Sequence, residues 1–184
     1  MGRWRNGAPL TISDTDDPVL GADPDRNNNF DFAEDADKAR CPFAAHIRKT
    51  NPRSDFQPQE LNVDVARIMR QGIPFGPEVA PDERRQNLSL TERGLMFVCY
   101  QTSIVKQFER IQQSWANNPF FVRGNVGFDP IIGNSSDANR NRFIDWPGAS
   151  APGLSIPTEF VVATGGLYAF VPSVSALKGL LSHQ

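Results

Sequence analysis

The chain has 184 residues, a formal net charge of −2 and 39% hydrophobic residues, and it contains no apolar run long enough to cross a bilayer. Its 19 basic and 21 acidic side chains nearly balance, so charge gives no reason to expect nucleic acid or an anionic membrane as a partner. Two cysteines, Cys41 and Cys99, are too few for a disulfide framework or a four-cysteine zinc site. The second of two histidines, His183, is one residue from the end, so histidine chemistry must depend mainly on His46.

Charge and periodicity divide the chain into two parts. Residues 1–40 carry nine acidic and five basic side chains, three prolines and few aliphatic residues, whereas residues 41–184 hold nearly all the periodic apolar segments. We therefore predict an acidic, loop-rich connector over 1–40 and a folded domain over 41–184. Residues 1–7 lack the apolar core of a signal peptide, so we expect this start to be internal to a longer protein.

The first motif in chain order is a run of oxygen-bearing side chains over residues 23–34. They occupy positions 1, 3, 5, 7, 9 and 12 of a twelve-residue calcium loop: Asp23, Asp25, Asn27, Asn29, Asp31 and Glu34. Position 6 is Asn28 instead of the usual glycine, and Pro18 and Pro24 interrupt the helix that should enter the loop. The pattern favours a solvated acidic loop over a calcium site.

The segment 94–100 is a short apolar run that predicts a strand buried on both faces. A helix is predicted next, capped by Thr102 or Ser103 and stopped at residues 117–119. Its apolar residues repeat with the period of a helix: Ile104, Phe108, Ile111 and Trp115.

The last third of the chain starts with an irregular excursion over residues 128–157, of the kind that often lines a site. Two β-prone runs, 160–163 and 167–171, flank a glycine-rich loop and predict a hairpin. Pro172 and Ser173 then open a final helix. Strands with a connecting and a terminal helix predict an α+β domain.

The segment 41–53 is the densest candidate for a functional site. His46 is followed within eight positions by three cations, Arg48, Lys49 and Arg53. This combination suits a ligand that carries both an imidazole-binding metal and carboxylates, and haem has both. The alternative is a structural histidine with its hydrogen bonds satisfied.

This segment resembles the proximal haem-ligand signature of the dye-decolorising peroxidase family, in its fungal members. The similar string is His46-Ile47-Arg48-Lys49-Thr50-Asn51-Pro52-Arg53. Further similar motifs follow in the same order as in the family, at 67–77, 94–100, 115–119, 128–133 and 165–178. The resemblance covers essentially the whole chain.

The resemblance implies a role for three polar residues. His46 would bind the haem iron as its proximal ligand, and Asp129 would accept a hydrogen bond from the other ring nitrogen; the alternative for Asp129 is a turn aspartate before Pro130. Arg70 would be the distal arginine that polarises bound peroxide, with a surface arginine as the alternative. Arg67 lies close by, but only Arg70 directly precedes the Gln-Gly-Ile-Pro-Phe turn of the family pattern.

Further residues carry weaker implications. Leu95 and Phe97 look like apolar walls of the distal pocket, although so apolar a strand is also typical of a core. Arg48 and Arg53 are candidate partners of the haem propionates, or else solvated cations. The aromatic residues that could pass electrons from bulky substrates are Trp115 and, less strongly, Trp146, although Trp115 lies on an apolar helix face where packing is the simpler role.

The family fold implied is a pair of ferredoxin-like α+β domains, each an antiparallel sheet with helices on one face, with haem b between them. The distal acid-base aspartate of the family lies in a Gly-x-x-Asp-Gly motif, which does not occur in these 184 residues. We therefore expect this chain to be the C-terminal half, with the N-terminal half of the same enzyme as its missing partner; the alternative is a two-component peroxidase whose other half is encoded separately.

The function implied is a haem peroxidase that uses hydrogen peroxide to oxidise dyes and phenolic compounds in one-electron steps. The alternatives are a non-catalytic haem-binding or structural fragment, and the related chlorite-dismutase branch, which is not expected to share the histidine string. Fungal relatives are often secreted, and Asn87 and Asn134 stand in allowed glycosylation triplets, so we expect the full-length protein to be extracellular.

Overall fold

The structure is a computed structural model that describes residues 2–35, 37, 40–55, 62–134, 143–144, 153–156 and 159–179. Its helices are all short: α1 Pro18–Ala22, α2 His46–Thr50, α3 Pro81–Gln86, a π-helix Arg110–Ala116 and α4 Val174–Gly179. Its strands pair antiparallel: β1 Met69–Arg70 with β4 Cys99–Tyr100, β2 Ile73–Phe75 with β3 Gly94–Met96, and β5 Phe143–Ile144 with β6 Leu154–Ser155. This mixture confirms the α+β class.

Strands β1 to β4 together form one two-stranded antiparallel ribbon, made of residues 69–75 and 94–100. Its strand pairs share a single register: Met69 with Tyr100, Arg70 with Cys99, Ile73 with Met96, Pro74 with Leu95 and Phe75 with Gly94. Between the two ladders, the Gln71 N–H donates to the Val98 carbonyl at 2.8 Å, which keeps the same register. The ribbon therefore has two consistent faces along its whole length.

The prediction that residues 94–100 are buried on both faces is wrong. Leu95 and Met96 are 57% and 60% exposed, and the described residues form no second layer over them. A strand becomes buried on both faces only when other elements cover both sides of its sheet. Within the described residues the aromatic partner of this strand is Phe108, which meets Phe97 with ring centroids 6.0 Å apart.

Two small apolar cores lie on either side of helix α2. The first is built by Leu10, Phe32, Cys41 and Ala45, with Trp4, Phe30 and Ile47 packed against it. The second is built by Ala66, Ile111, Trp115 and Phe121, with Ile68 and Val122 packed against it. Because α2 packs on the first core and contacts the π-helix of the second, it connects the two cores.

The structure does not support a separate connector over residues 1–40. Leu10 and Phe32 are buried in the same core as Cys41 and Ala45, so the proposed boundary at residue 40 passes through a core. The predicted loop-rich character is observed, since the described part of this segment has only one short α-helix and one 3-10 turn. Apolar residues spaced too irregularly to show a period nevertheless bury together.

The predicted connecting helix ends where expected, before Asn117, but begins later than expected. The Gln107 side-chain oxygen accepts the N–H groups of Thr102 and Ser103, each at 2.8 Å, and this holds residues 102–107 in turns. The helix then continues as a π-helix with Ile111 and Trp115 buried, as their spacing predicts. The described helices include none long and apolar enough to cross a membrane.

The predicted C-terminal hairpin is not formed. Residues 160–171 contain no strand, and Leu167 and Phe170 are each 89% exposed. A two-stranded hairpin is marginal without a surface to pack on, and the segment has none here beyond the contact of Tyr168 with Phe108. The final helix is confirmed as α4, where the Ser173 hydroxyl accepts the Ala176 N–H at 3.1 Å.

Candidate functional site

His46 is the first residue of α2, and the helix holds it at the edge of the first core. Ala45, which precedes it, is 2% exposed, and Ile47, which follows it, packs against the same core. Its own side chain keeps 30% of its surface exposed. The short helix thus anchors the imidazole through its neighbours while leaving part of the ring accessible.

Asp129 holds the His46 ring by a hydrogen bond across 83 residues of sequence. The distance from Nδ1 to Oδ2 is 2.9 Å, and Asp129 is fully buried. Since a carboxylate accepts, the ring donates its Nδ1–H, and the lone pair is then on Nε2. This is the tautomer in which a histidine can bind a metal through Nε2.

Asp129 is also a turn aspartate, so both interpretations of it from the sequence are observed together. Its Oδ1 accepts the N–H groups of Ile131 and Ile132 at 2.8 and 3.0 Å. Its own N–H donates to the Ala116 carbonyl, at the end of the π-helix, at 2.8 Å. The turn fixes one carboxylate oxygen and leaves the other for His46.

Arg48 is fully buried and does not face a ligand site. Its Nε, Nη1 and Nη2 groups donate to the carboxylates of Asp35 and Asp55 and to the carbonyls of Asp35 and Cys41. The guanidinium also lies between two rings, 4.5 Å from the centroid of Phe32 and 4.3 Å from that of Phe43. All five N–H donors are taken, so the structure contradicts a propionate role for Arg48.

Arg53 lies at the surface edge of the same region and is only partly buried. Its Nη groups donate to the backbone of Phe30 and to Asn28, and its guanidinium stacks 3.9 Å from the Phe30 ring centroid. Burial lowers the pKa of its guanidinium. A φ of 47° places it in the left-handed region, which is rare for a non-glycine residue.

Arg70, Leu95 and Phe97 lie on one face of the ribbon. In an antiparallel pair, opposite residues and residues two apart along a strand share a face, which groups Arg70 with Cys99, Phe97 and Leu95. Among the described residues, no acceptor lies within hydrogen-bond distance of the Arg70 guanidinium, whereas Arg67 pairs with Asp64 at 2.8 Å. The ribbon therefore presents one uncommitted cation beside two apolar side chains.

Gly72 leaves room for the Leu95 side chain to pack against the backbone on this face. It stands opposite Phe97 in the shared register, and a Cβ there would lie 2.8 Å from a Leu95 methyl group. Any larger residue would displace Leu95. The glycine that follows Arg70 in the motif is thus explained by packing on the face that carries the predicted pocket walls.

Lys49 is the residue of this region that sequence reasoning missed. It is fully buried, and its ammonium donates to the carbonyls of Trp115 and Asn118 at 3.3 and 2.6 Å. Burial lowers the pKa of Lys49 to about 8, and the charge of Asp129 acts against this shift. From the sequence, a lysine three residues after His46 is expected to be a solvated cation. Its burial becomes evident only from the position of the π-helix in the structure.

The other predicted residues are placed as follows. Trp115 is 4% exposed and stacks on Phe121 with ring centroids 5.3 Å apart, which confirms its packing role and leaves little surface for a bulky substrate. Trp146 lies outside the described residues. Both cysteines are free thiols, and burial raises the pKa of Cys41 to about 12 and raises that of Cys99.

The residues at His46 fit a haem group on the chemistry of their donors. A part-exposed imidazole with its Nδ1–H held by a buried carboxylate is the usual form of a histidine that binds haem iron. Arg53 is the nearby cation from the same motif that still has exposed surface. This pair in an α+β chain fits the class of histidine-ligated haem proteins.

Comparison with known proteins narrows this class to one family. The family model "Dyp-type peroxidase, C-terminal" matches residues 9–119. The dye-decolorizing peroxidases of Auricularia auricula-judae and Exidia glandulosa are 45% and 47% identical, each over 99% of this chain. Solved structures of the Auricularia enzyme and of an ancestral D-type relative superpose with TM-scores of 0.86 and 0.87 at 45% and 46% identity, over 98% and 97% of this chain.

The chain belongs to the Dyp-type peroxidase family. It spans 38% and 37% of the length of the Auricularia and Exidia relatives, and 44% and 42% of the two solved chains. The matched family model is that of the C-terminal part, which agrees with the expected position of this chain. The solved neighbours confirm the α+β, ferredoxin-like fold class.

Proposed function

We propose that this chain is the haem-binding C-terminal part of a peroxidase that uses hydrogen peroxide to oxidise dyes and phenolic compounds in one-electron steps. The observation that carries the proposal is the 2.9 Å hydrogen bond from His46 to the fully buried Asp129. The names of the relatives support the substrate class, and one solved relative, 45% identical, is described by the engineering of its heme pocket. We propose haem b as the cofactor.

His46 and Asp129 form the proximal side of the proposed site. His46 would bind the iron through Nε2, and bound haem would supply the redox centre that reacts with peroxide. Asp129 would orient the imidazole and, by accepting the Nδ1–H, give the ring more imidazolate character, which favours oxidised iron. Because Asp129 is itself fixed by two backbone N–H groups, it holds the ring in one orientation.

Arg70, Leu95 and Phe97 form the distal side of the proposed site. The Arg70 guanidinium has no competing acceptor among the described residues, so it is free to polarise peroxide and to stabilise the hydroxide that leaves as the O–O bond breaks. Leu95 and Phe97 would keep water from the same face. Arg53 would bind a propionate with the donors that remain exposed.

The N-terminal part of the family protein is the partner that this proposal requires. The acid-base aspartate of the family belongs to a Gly-x-x-Asp-Gly motif, and this sequence has none. The face of the ribbon that carries Arg70 also keeps Leu95 and Phe97 at 57% and 45% exposed. A second domain over this face would supply the acid-base and exclude water from it.

The test is peroxide-dependent dye oxidation by the haem-loaded, full-length protein, with free hemin and a reaction without peroxide as controls. We expect turnover well above that of free hemin, and its loss in His46→Ala but not in His183→Ala. Haem binding with turnover no faster than free hemin would instead support the alternative of a non-catalytic haem-binding protein. Absence of haem binding would contradict both.

We also propose that the full-length protein is extracellular. The triplet that starts at Asn87 is exposed, and Asn87 itself ends α3 in a left-handed conformation, φ 51°. The exposure of the triplet leaves the Asn87 side chain accessible to a glycosyltransferase. Treatment of the secreted protein with an N-glycosidase should lower its mass, and Asn87→Gln should reduce that change; an unglycosylated protein retained in the cell would contradict the proposal.

A further inference from the structure

We propose that Lys49 is a positioning residue that holds Asp129 against the proximal histidine, an inference that rests on the proposed haem function. Lys49 lies one turn after His46 in α2, so the ligand and the lysine are carried by the same rigid element. Its side chain reaches the last turn of the π-helix at the Trp115 carbonyl and the segment just after it at the Asn118 carbonyl. The ligand helix is thus tied to the π-helix at a point next to the ligand.

The contact between α2 and the end of the π-helix is made by a buried ammonium group. Burying a charged group costs free energy unless its hydrogen bonds are satisfied. Lys49 is fully buried, and it donates to two carbonyls, those of Trp115 and Asn118. Carbonyls at a helix C-terminus carry the negative end of the helix dipole, so a cation is favourable there. A buried lysine with this contact resists displacement, because moving it would leave an unpaired charge.

The same helix end also fixes Asp129. The Asp129 N–H donates to the Ala116 carbonyl at 2.8 Å, one residue from the Trp115 carbonyl that Lys49 binds. A closed path therefore runs from His46 through α2 and Lys49 to the π-helix end, and from there through Asp129 back to Nδ1 of His46. Removing Lys49 opens this path, and the hydrogen bond between His46 and Asp129 and the packing of α2 on the π-helix are then left to oppose their separation.

The consequence concerns the strength of that hydrogen bond. If the π-helix end moves away from α2, the distance from Nδ1 to Oδ2 increases and the imidazole loses imidazolate character. A less basic ligand lowers the iron–histidine stretching frequency and raises the Fe(III)/Fe(II) reduction potential. Loss of the positive charge without any movement would make Asp129 a stronger acceptor and shift both quantities the other way. The sign of the shift therefore separates positioning from charge.

The test uses the haem-loaded, full-length protein and compares Lys49→Met with wild type. We expect a lower iron–histidine stretching frequency and a higher reduction potential, each by less than Asp129→Asn produces. In an Asp129→Asn background, Lys49→Met should add no shift, because the hydrogen bond it protects is already weakened. The matched control is Lys106→Met, at an exposed lysine, which should leave both quantities at their wild-type values.

Several results would overturn the inference. An unchanged or raised frequency in Lys49→Met, or an undiminished effect in the Asp129→Asn background, contradicts positioning through Asp129 while leaving the proposed function intact. Absence of a histidine-ligated haem in the wild type overturns both. If Lys49→Met does not fold, Lys49→Gln carries the test, because its side chain is one atom shorter than that of lysine and uncharged, which weakens the contact with the carbonyls while keeping a polar group there: a shift of the same sign supports the inference, and no shift contradicts it.

Discussion

Three arginines of similar appearance in the sequence differ completely in their surroundings. Arg48 donates all five of its N–H groups to protein acceptors, and Arg53 donates some of them. Arg70 donates none to the described residues. A guanidinium stabilises the acceptors that lie within hydrogen-bond distance, so the surroundings of each arginine determine its role. Arg48 stabilises the fold, and Arg70 keeps its donors for a ligand. Arg53 is intermediate, with some donors used within the protein and some still exposed.

We predict that Arg48→Met destabilises the protein by about 3–5 kcal/mol, the usual cost of leaving buried charges without their partner. Here two buried carboxylates, Asp35 and Asp55, would lose it. The control is Arg67→Met, at an exposed ion pair with Asp64, where a loss of about 0–1 kcal/mol is expected. Urea unfolding measures both, and equal losses would show that the Arg48 cluster does not stabilise the fold.

We predict that Arg70→Leu in the haem-loaded protein slows its reaction with peroxide by about 10²–10³-fold, as expected for loss of one preorganised electrostatic donor. The haem should stay bound, because Arg70 contributes nothing to the described core. Stopped-flow mixing with peroxide measures the rate. Arg67→Leu serves as the control, since that side chain is engaged with Asp64, and a wild-type rate in Arg70→Leu would assign the role to another group.

At the scale of elements, the ribbon brings together three residues that are distant in sequence. One uninterrupted register puts Arg70, Leu95 and Phe97 on the same face, and a slip of one residue would reverse the face of either strand. Gly72 allows the close approach of Leu95 on that face. The positions of the proposed pocket walls are therefore set by the register rather than by any single contact.

The segment between β2 and β3 is held by Glu83 of α3. Because this side chain is a carboxylate, we expect the strength of its contacts to depend on pH. Glu83 accepts the N–H groups of Ala80 and Leu90 at 2.9 and 2.7 Å and pairs with Arg93, which lies just before β3. Hydrogen bonds from Arg93 and then from these two N–H groups lower the pKa of Glu83 to about 2, from a usual 4.5. The carboxylate thus binds the start of α3 to the return strand.

We predict that Glu83→Gln is less stable than wild type at neutral pH and that the difference shrinks as pH falls from 4.5 to 2. A carboxyl whose pKa is lower in the folded state contributes stability above its unfolded pKa and loses it as pH falls through its folded pKa. Thermal unfolding across this range measures the difference. Asp82→Asn, at an exposed pair with Arg85, is the control, and a difference independent of pH would contradict the role of Glu83.

Part of the fold and of the candidate site could be predicted from the sequence, and part could not. The string around His46 and the place of Asp129 in its motif predict the pair that the structure shows at 2.9 Å. The burial of Arg48 and Lys49 could not be predicted, because it depends on Asp35, Asp55 and the π-helix end, which are brought in by tertiary packing. The prediction of a hairpin at 160–171 is wrong because a two-stranded hairpin needs a surface to pack on, and the described residues do not provide one.

At the scale of the whole molecule, the described residues form two small cores joined by α2, with a large apolar surface exposed. The ribbon and the C-terminal segment contribute most of it, including Leu95, Met96, Leu167 and Phe170. Exposed patches of this kind mark surfaces that bind another domain or chain. The chain spans 38% of the length of its Auricularia relative, and the occupant proposed for this surface is the remainder of the family protein.

We predict that the 184-residue chain produced alone binds haem weakly, aggregates, and has only residual peroxidase activity. A positioned acid-base contributes about 10²–10⁴-fold, and this sequence lacks the motif that carries it in the family. The comparison is with the same chain co-produced with the N-terminal part of the Auricularia relative, by dye oxidation per bound haem after removal of free hemin. Equal turnover in the two samples would mean that the catalytic residues are complete in this chain.

The central claim is that Nε2 of His46 binds haem iron while Asp129 holds Nδ1. Resonance Raman spectroscopy of the reduced, haem-loaded protein measures this directly through the iron–histidine stretching band. We predict a band that shifts on ¹⁵N labelling of histidine, moves to lower frequency in Asp129→Asn, disappears in His46→Ala and is unchanged in His183→Ala. A band that persists in His46→Ala, or one that is unaffected by Asp129→Asn, would contradict the account.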